Sequence, residues 1–291
     1  MSNDSTDQGQ EPQELKPEDW AGDMGLKWLA SLSKFEEMIA PIGEASLARA
    51  NYQDGETVID LGCGGGATTL VIASAVAPSG KVMGLDISPD LVAAAQERAA
   101  KNGAANIQFT NADAATARLP DAPYDRLFSR FGSMFFEDPT SAFTNLHGLV
   151  RKGGRVDLAV WGPPRDNLWM MEMMGVVRNH IEIPPAVPRA PGPFAFEDLE
   201  YLGEILDGSG FSDVDVVAYE ALQPVGGVGA TPEQAVAFAF ASLAVGRLLN
   251  EKGEAVIAAA SQELADLFAR YHVPGKGVMM QGKVWLVSAI A

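Results

Sequence analysis

Four glycines stand between positions 62 and 66 in the stretch VIDLGCGGGATTL, residues 58–70, directly after a β-branched apolar run. Bare backbone lets a ligand press against the chain where side chains would exclude it. An apolar strand, a glycine loop and a helix together make a nucleotide cradle, and two ligand classes compete for it. Gly62, Gly64 and Ala67 fit G-x-G-x-x-A, and Asp86 follows near the end of the next apolar run. That is also the dinucleotide fingerprint, in which the acid holds a ribose hydroxyl. Asp60, two places before the first glycine, separates the classes. A pyrophosphate rests on the loop and the helix N-terminus, and a carboxylate there would face two negative groups at close range. S-adenosylmethionine has no phosphate; its α-amino group and sulfonium are cationic, and the same carboxylate attracts them. Asp113, in NIQFTNADAA, ends a further strand and can accept from the adenine amino group. Acids closing three successive strands suit a cationic nucleoside.

The elements that must position these residues can be read from periodicity. TVIDLG, KVMGLDIS, NIQFTNAD, YDRLFSRFG and RVDLAVW read as strands, separated by helical stretches of which PDLVAAAQERAAKNG is capped by Ser88 and stopped at Gly103. Such alternation implies an α/β fold, a mostly parallel sheet with helices on both faces. Residues 1–16 are polar and acidic and are expected to be a disordered tail. Residues 17–50 have helical spacing broken at Pro41, which predicts two short helices, a lid bearing Trp20 and Trp28. Residues 56–161 carry the cofactor-binding core. Two insertions, the proline-rich 162–196 and the Ala-rich helical 225–276, are expected to cap it, with strands SDVDVVAYEA and GKVWLVSAIA beside them.

The motifs VIDLGCGGGATTL, VMGLDIS, FTNADAA, YDRLFSRFGSMFF and LVRKGGRVDLAVW, in that order, resemble those of class I S-adenosylmethionine-dependent methyltransferases. Within that class the small-molecule, ubiquinone/menaquinone-type group is the nearest in appearance. The resemblance spans about residues 56–161 and implies a Rossmann-like, seven-stranded sheet of order 3-2-1-4-5-7-6 with the last strand antiparallel. It implies that Gly62 and Gly64 approach the methionine part, that Asp86 takes the ribose hydroxyls, and that Asp113 with Ala114 reads the adenine. Asp60, Cys63, Ile87 and Ser129 complete the expected cofactor set.

Composition narrows the partners. The formal net charge is −17, which repels nucleic-acid backbones. The single cysteine, Cys63, allows no internal disulfide; the N-terminus has no signal-peptide pattern, and no apolar run is long enough to cross a membrane. A cytoplasmic protein acting on a small molecule is expected. No metal-ligand cluster is visible, and nothing indicates or forbids a homo-oligomer.

Methyl transfer from a sulfonium is an in-line displacement that needs positioning and exclusion of water, and a base only when the acceptor must lose a proton. His180, in the covering segment, is the candidate catalytic base; His147 reads as structural, and His272 lies just before the last strand. Acceptors in such sheets bind beyond the strand ends, where Arg130, Phe131, Met134 and Trp161 stand, with Trp169 and Met173 in the insertion above. Arg130 can hold an acidic or phenolate acceptor, or pair with a nearby acid. The expected acceptor is small, largely apolar and possibly aromatic, with oxygen as the preferred acceptor atom. The alternatives are a non-catalytic module that binds S-adenosylmethionine or S-adenosylhomocysteine, and a nicotinamide-dependent reductase, against which Asp60 argues.

Overall fold

The computed structural model describes residues 17–291; the expected tail over 1–16 lies outside them. Strands β1 (Thr57–Leu61), β2 (Lys81–Asp86), β3 (Ile107–Asn111), β4 (Tyr124–Arg130) and β5 (Val150–Trp161) pair in parallel. Strand β6 is Ser212–Val225, β7 the two-residue His272–Val273, and β8 Gly277–Ile290. The order is β3-β2-β1-β4-β5-β8-β6, with β7 paired to β8 off that path. β8 runs antiparallel to both β5 and β6. The expected seven-strand order is therefore present, with the short β7 as an eighth strand.

Helices α1 (Pro17–Ala21), α2 (Asp23–Ala30) and α3 (Leu32–Ala50) precede the sheet. Two short helices were expected here, ending at Pro41, but α3 runs straight through that proline for 19 residues. An interior proline forfeits a backbone hydrogen bond and costs about 3 kcal/mol. Burial of Phe35, Met38, Ile39, Ile42 and Ala50 on the sheet offsets it.

Helices α4 (Ala67–Val76), α5 (Pro89–Lys101) and α6 (Pro139–His147) are the crossovers. Ser88 caps α5, its hydroxyl accepting from the Leu91 N–H at 3.4 Å, with Pro89 at the first position. Asp138 caps α6 in the same way. The strand expected from RVDLAVW begins earlier, with the RKGG segment opening β5: the β4–β5 register shifts between Tyr124 and Arg126, and Gly153 bends at φ +72°.

The first insertion holds α7 (Leu168–His180) and irregular chain, followed by α8 (Leu199–Gly208). Between β6 and β8 lie α9 (Pro232–Ser242), α10 (Ala244–Leu249) and α11 (Glu254–Tyr271). Side chains alternate along strands and share a face across paired positions. The pairs Asp60–Phe128, Phe128–Asp157 and Trp161–Val284 thus put Asp60, Arg130 and Trp161 on one face. α3 covers that face: the Ala50 carbonyl accepts from Arg126, and α3 packs over β5 and β6. Among the described residues no helix is long and apolar enough to cross a membrane.

Candidate functional site

The loop between β1 and α4 is shaped by contacts that admit only glycine. Gly62 has φ +64°, and a Cβ on it would lie 2.7 Å from the Gly132 Cα. A Cβ on Gly132 would in turn lie 2.9 Å from the Gly62 Cα and 2.9 Å from the Leu61 carbonyl oxygen. A Cβ on Gly65 would lie 2.5 Å from Leu32 of α3. Gly64 differs. It has φ +53° but a Cβ there would meet nothing within 4 Å, so the loop's open side is at this residue.

Asp86 ties the cradle together. Its carboxylate accepts from the Gly64 N–H at 2.8 Å and from the Ser88 N–H at 2.9 Å. Burial pushes its pKa upward, and the backbone donors oppose that. Asn111 closes the ends of β2 and β3 by donating to the Asp86 and Ile87 carbonyls. Asp113 accepts from the Ala115 N–H at 2.9 Å, forming a turn that buries Ala114. Asp86 is thus bonded to the glycine loop, and Ile87, Asp113 and Ala114 follow the ends of β2 and β3 that Asn111 ties together.

Three of the expected cofactor residues are placed differently. The Asp60 side chain lies beneath the loop, 1% exposed, accepting from the Thr68 hydroxyl at 2.9 Å and the Thr69 hydroxyl at 2.6 Å. It anchors the first turn of α4, and its charge acts on the cradle through the field, not by lining it. Cys63 turns its thiol inward, where it would touch a Cβ on Gly84, and burial pushes that thiol's pKa up. Ser129 donates to the Leu61 carbonyl at 3.1 Å and is wholly buried, so it fastens β4 to β1.

Burial raises the Asp60 pKa to about 6, against the lowering pull of the two threonines and Arg130. The unfolded chain's aspartate titrates near 4. Between those values the folded state binds more protons, so this group's contribution to stability falls as pH rises from about 4 to about 6 and is level above. Asp60→Asn keeps an acceptor for the threonines and removes the charge. Relative to the parent, it is expected to gain stability as pH rises through that window, by at most about 3 kcal/mol, with no gain below it. Melting temperatures of both proteins at pH 4 and pH 7.5 check this; a difference independent of pH contradicts it.

Arg130 ends β4 and reaches toward α3, where its Nη1 would lie 2.5 Å from a Cβ on Gly43. Asp60 and Glu36 are the acids whose fields act on it, and burial lowers its pKa. Glu36 itself is held by Arg98 in a two-pronged ion pair at 2.6 and 2.8 Å. Arg130, by contrast, has no ion pair and no hydrogen bond among the described residues. Its guanidinium is a cation beside the glycine loop without an anionic partner in contact.

The expected acceptor residues are brought together, but as a packed cluster. Phe131, at φ +67°, stacks on Trp161 with centroids 4.4 Å apart and planes 9° from parallel. Trp161 touches Trp169 at 5.1 Å, and Met134 and Met173 are buried. Asn167 fixes the turn above them through the Gly162 and Pro163 carbonyls and the Lys283 N–H. The lid closes from the other side, with Trp20 against Phe135 at 4.9 Å and against Trp28 at 5.6 Å.

His180 does not join this cluster. It ends α7, with its Nε2 3.4 Å from a Glu263 carboxylate oxygen of α11 but without a hydrogen bond, so the structure places it between two helices and not at the expected catalytic position. His147 packs edge-on against Phe211, as a structural residue should, and His272 sits in β7. No cluster of potential metal ligands occurs among the described residues. Two residues of the site escaped the sequence reading. Glu36 carries no local signal. Gln223, in the apolar run ALQPV, was visible as the lone polar residue there.

Comparison with known proteins agrees with this architecture. Residues 52–160 match the family described as Methyltransferase domain. The aklanonic acid methyltransferase DauC of Streptomyces sp. strain C5 is 30% identical over 120 residues, 41% of this chain and 54% of that protein. A demethylmenaquinone methyltransferase of Geobacillus sp. strain WCH70 is 29% identical over 113 residues, 39% of this chain and 48% of that protein. The matched region thus spans about half the length of each relative. A phosphoethanolamine N-methyltransferase of Haemonchus contortus, solved with S-adenosyl-L-methionine, shares the fold at TM-score 0.58 and 17% identity, over 95% of this chain and 60% of that one. Residues 52–160 are thus similar to methyltransferase domains, and the sheet that carries them has the Rossmann-like strand order expected from the sequence.

Proposed function

We propose that the protein transfers a methyl group from S-adenosylmethionine to a small, largely apolar acceptor, with an aromatic hydroxyl as the preferred one. The observation that carries this reading is the open cradle at Gly64, bridged by the Asp86 carboxylate, with the buried Asp60 carboxylate beneath it. The residues fit the donor: backbone open on one side of the loop, carboxylates at two strand ends, and an unpartnered guanidinium next to the loop. The bound donor supplies an electrophilic methyl group.

The remaining work falls to this chain's own groups. Asp86 accepts from the ribose hydroxyls, and Asp113 from the adenine amino group. Arg130 pairs with the carboxylate of the methionine part, since it stands between Asp60 and Glu36 at the loop and lacks any other anion in contact. This assignment replaces the acceptor role expected for it. Trp20, Phe135 and α2 shut the site from water, which is what an in-line displacement at an already activated centre requires. Phe131, Trp161 and Trp169, packed on one another, make the side of the site assigned to the acceptor apolar and aromatic.

The test is a turnover assay with tritiated S-adenosylmethionine and a panel of phenolic acceptors, with product identified by mass. Transfer to a phenol supports the proposal; donor binding without transfer to any class of acceptor refutes it. Arg130→Met is expected to raise the KM for S-adenosylmethionine by about 30-fold, the worth of one lost charge-assisted hydrogen-bonded pair, with kcat within a few-fold of the parent. A change confined to the acceptor's KM would return Arg130 to the acceptor side.

A further inference from the structure

Gln223 lies near the C-terminal end of β6, fully buried, and neither its amide nitrogen nor its amide oxygen has a hydrogen-bond partner. Buried polar side chains are paired in the great majority of cases, and one left unpaired is a sizeable liability. An amide with both ends idle therefore calls for a partner.

Its position says which partner. Strand register sets Tyr219 opposite Val284 and Val284 opposite Trp161, and sets Gln223 opposite Met280. Gln223 thus shares a face with Trp161 and stands four register pairs further along β6 and β8. Gly282 separates them. A Cβ on that glycine would collide with the Gln223 Nε2 and lie 3.3 Å from the Trp161 Cζ3. The amide and the indole occupy one space over bare backbone. That indole is stacked on Phe131, whose neighbour Gly132 abuts Gly62 of the cradle. The idle amide is therefore in the aromatic cluster beside the glycine loop, where the acceptor belongs.

A carboxamide offers an N–H donor and a C=O acceptor side by side in one plane. Its best complement is a ligand with the reverse pair on adjacent positions of a flat ring, the two groups closing a cyclic pair of hydrogen bonds. Aromatic amino acids at the wall favour a fused planar ring over an aliphatic one. We propose that Gln223 selects the acceptor: a planar ring system bearing a hydrogen-bond donor next to a carbonyl, as in a ring lactam or a hydroxy ketone, held by the amide while the ring lies against Trp161. The inference rests on the methyl-acceptor assignment of this site, and it names the chemistry the site reads.

The test is calorimetry on the full chain with and without saturating S-adenosylhomocysteine, using three flat probes built on one bicyclic ring. 2-Quinolone carries N–H beside C=O; 1-methyl-2-quinolone keeps the carbonyl and lacks the donor; quinoline lacks both the carbonyl and the N–H. The parent protein is expected to bind 2-quinolone at least tenfold more tightly than either control, the effect of one well-made buried hydrogen bond or more. Gln223→Met, similar in length and apolar, is expected to bind all three within about threefold of one another, to hold S-adenosylhomocysteine as the parent does, and to melt no lower. Equal binding of the three probes by the parent, discrimination that survives Gln223→Met, or no binding of 2-quinolone at roughly 1 mM would overturn the proposal. The parent's preference is read without any mutation, so it stands even where Gln223→Met does not fold. Failure of S-adenosylhomocysteine to bind strikes the cofactor assignment instead, and the probe titrations without it keep the two failures distinct.

Discussion

Asp86→Ala is expected to abolish detectable binding of S-adenosylhomocysteine, a loss of more than about 100-fold. A carboxylate accepting from two ribose hydroxyls makes two charge-assisted hydrogen bonds, each worth about 1.5–3 kcal/mol, and every 1.4 kcal/mol is a factor of about ten. The same side chain accepts from the Gly64 and Ser88 N–H groups. Its removal also loosens the loop and the entry to α5, so the melting temperature should fall as well. Asp86→Asn separates the two effects. It keeps one acceptor oxygen but replaces the other with a donor that faces either a backbone N–H or a ribose hydroxyl. Its affinity should fall between those of the parent and Asp86→Ala, with a smaller loss of stability. Isothermal titration of all three proteins reads the affinities; an Asp86→Ala protein that binds as the parent does refutes the ribose assignment.

The second large effect is a contrast between two glycines of one loop. Gly62→Ala places a Cβ 2.7 Å from the Gly132 Cα, and backbone cannot rotate away. Overpacking of that kind costs about 1–3 kcal/mol, and the left-handed φ of +64° adds about 1–2 kcal/mol. The expected result is a loss of about 2–5 kcal/mol in urea denaturation, with cofactor binding lost in step. Gly64→Ala meets no neighbour within 4 Å. Only the backbone strain of about 1–2 kcal/mol applies, so the protein stays folded. Its new methyl group nonetheless enters the space assigned to the ligand, and affinity for S-adenosylhomocysteine is expected to drop at least about tenfold. Equal stability losses for the two variants, or an unchanged affinity for Gly64→Ala, would contradict the geometry assigned to the loop.

The parallel core was legible because its signals are local. Ser88 and Pro89 start α5 by capping and by a preset φ, both readable within four residues. The glycine loop was legible because its spacing implies a close approach of backbone. Asp60 was read for the right sign of charge and the wrong position: periodicity places it at the end of β1 but does not tell that Thr68 and Thr69 lie below it to take its oxygen. Ser129 and Cys63 were misplaced for the same reason, since which face a residue takes near a strand end depends on the neighbouring strand. Pro41 misled because helix propensity is a weak term, and burial of one face of α3 outweighs it. His180 drew attention as a titratable residue in a covering segment; its distance in sequence from Glu263 hid that α7 sets it against α11. Gln223 could be seen as polar in an apolar run, but that its amide lacks a partner is a property of three strands at once.

The central claim is electrostatic: the cradle takes a cationic, unphosphorylated adenosine donor and rejects a dinucleotide. Asp60 lies below the loop and not beside the ligand, yet its charge stands with those of Asp86 and Asp113 at three neighbouring strand ends. The Arg130 guanidinium offsets part of that charge, lying in the fields of Asp60 and Glu36.

The most direct measurement is a calorimetric titration of the full chain with S-adenosylhomocysteine and, separately, with NADH. The predicted result is one site for S-adenosylhomocysteine with a dissociation constant on the order of micromolar and no heat of binding for NADH. Saturable binding of NADH together with none of S-adenosylhomocysteine would contradict the account.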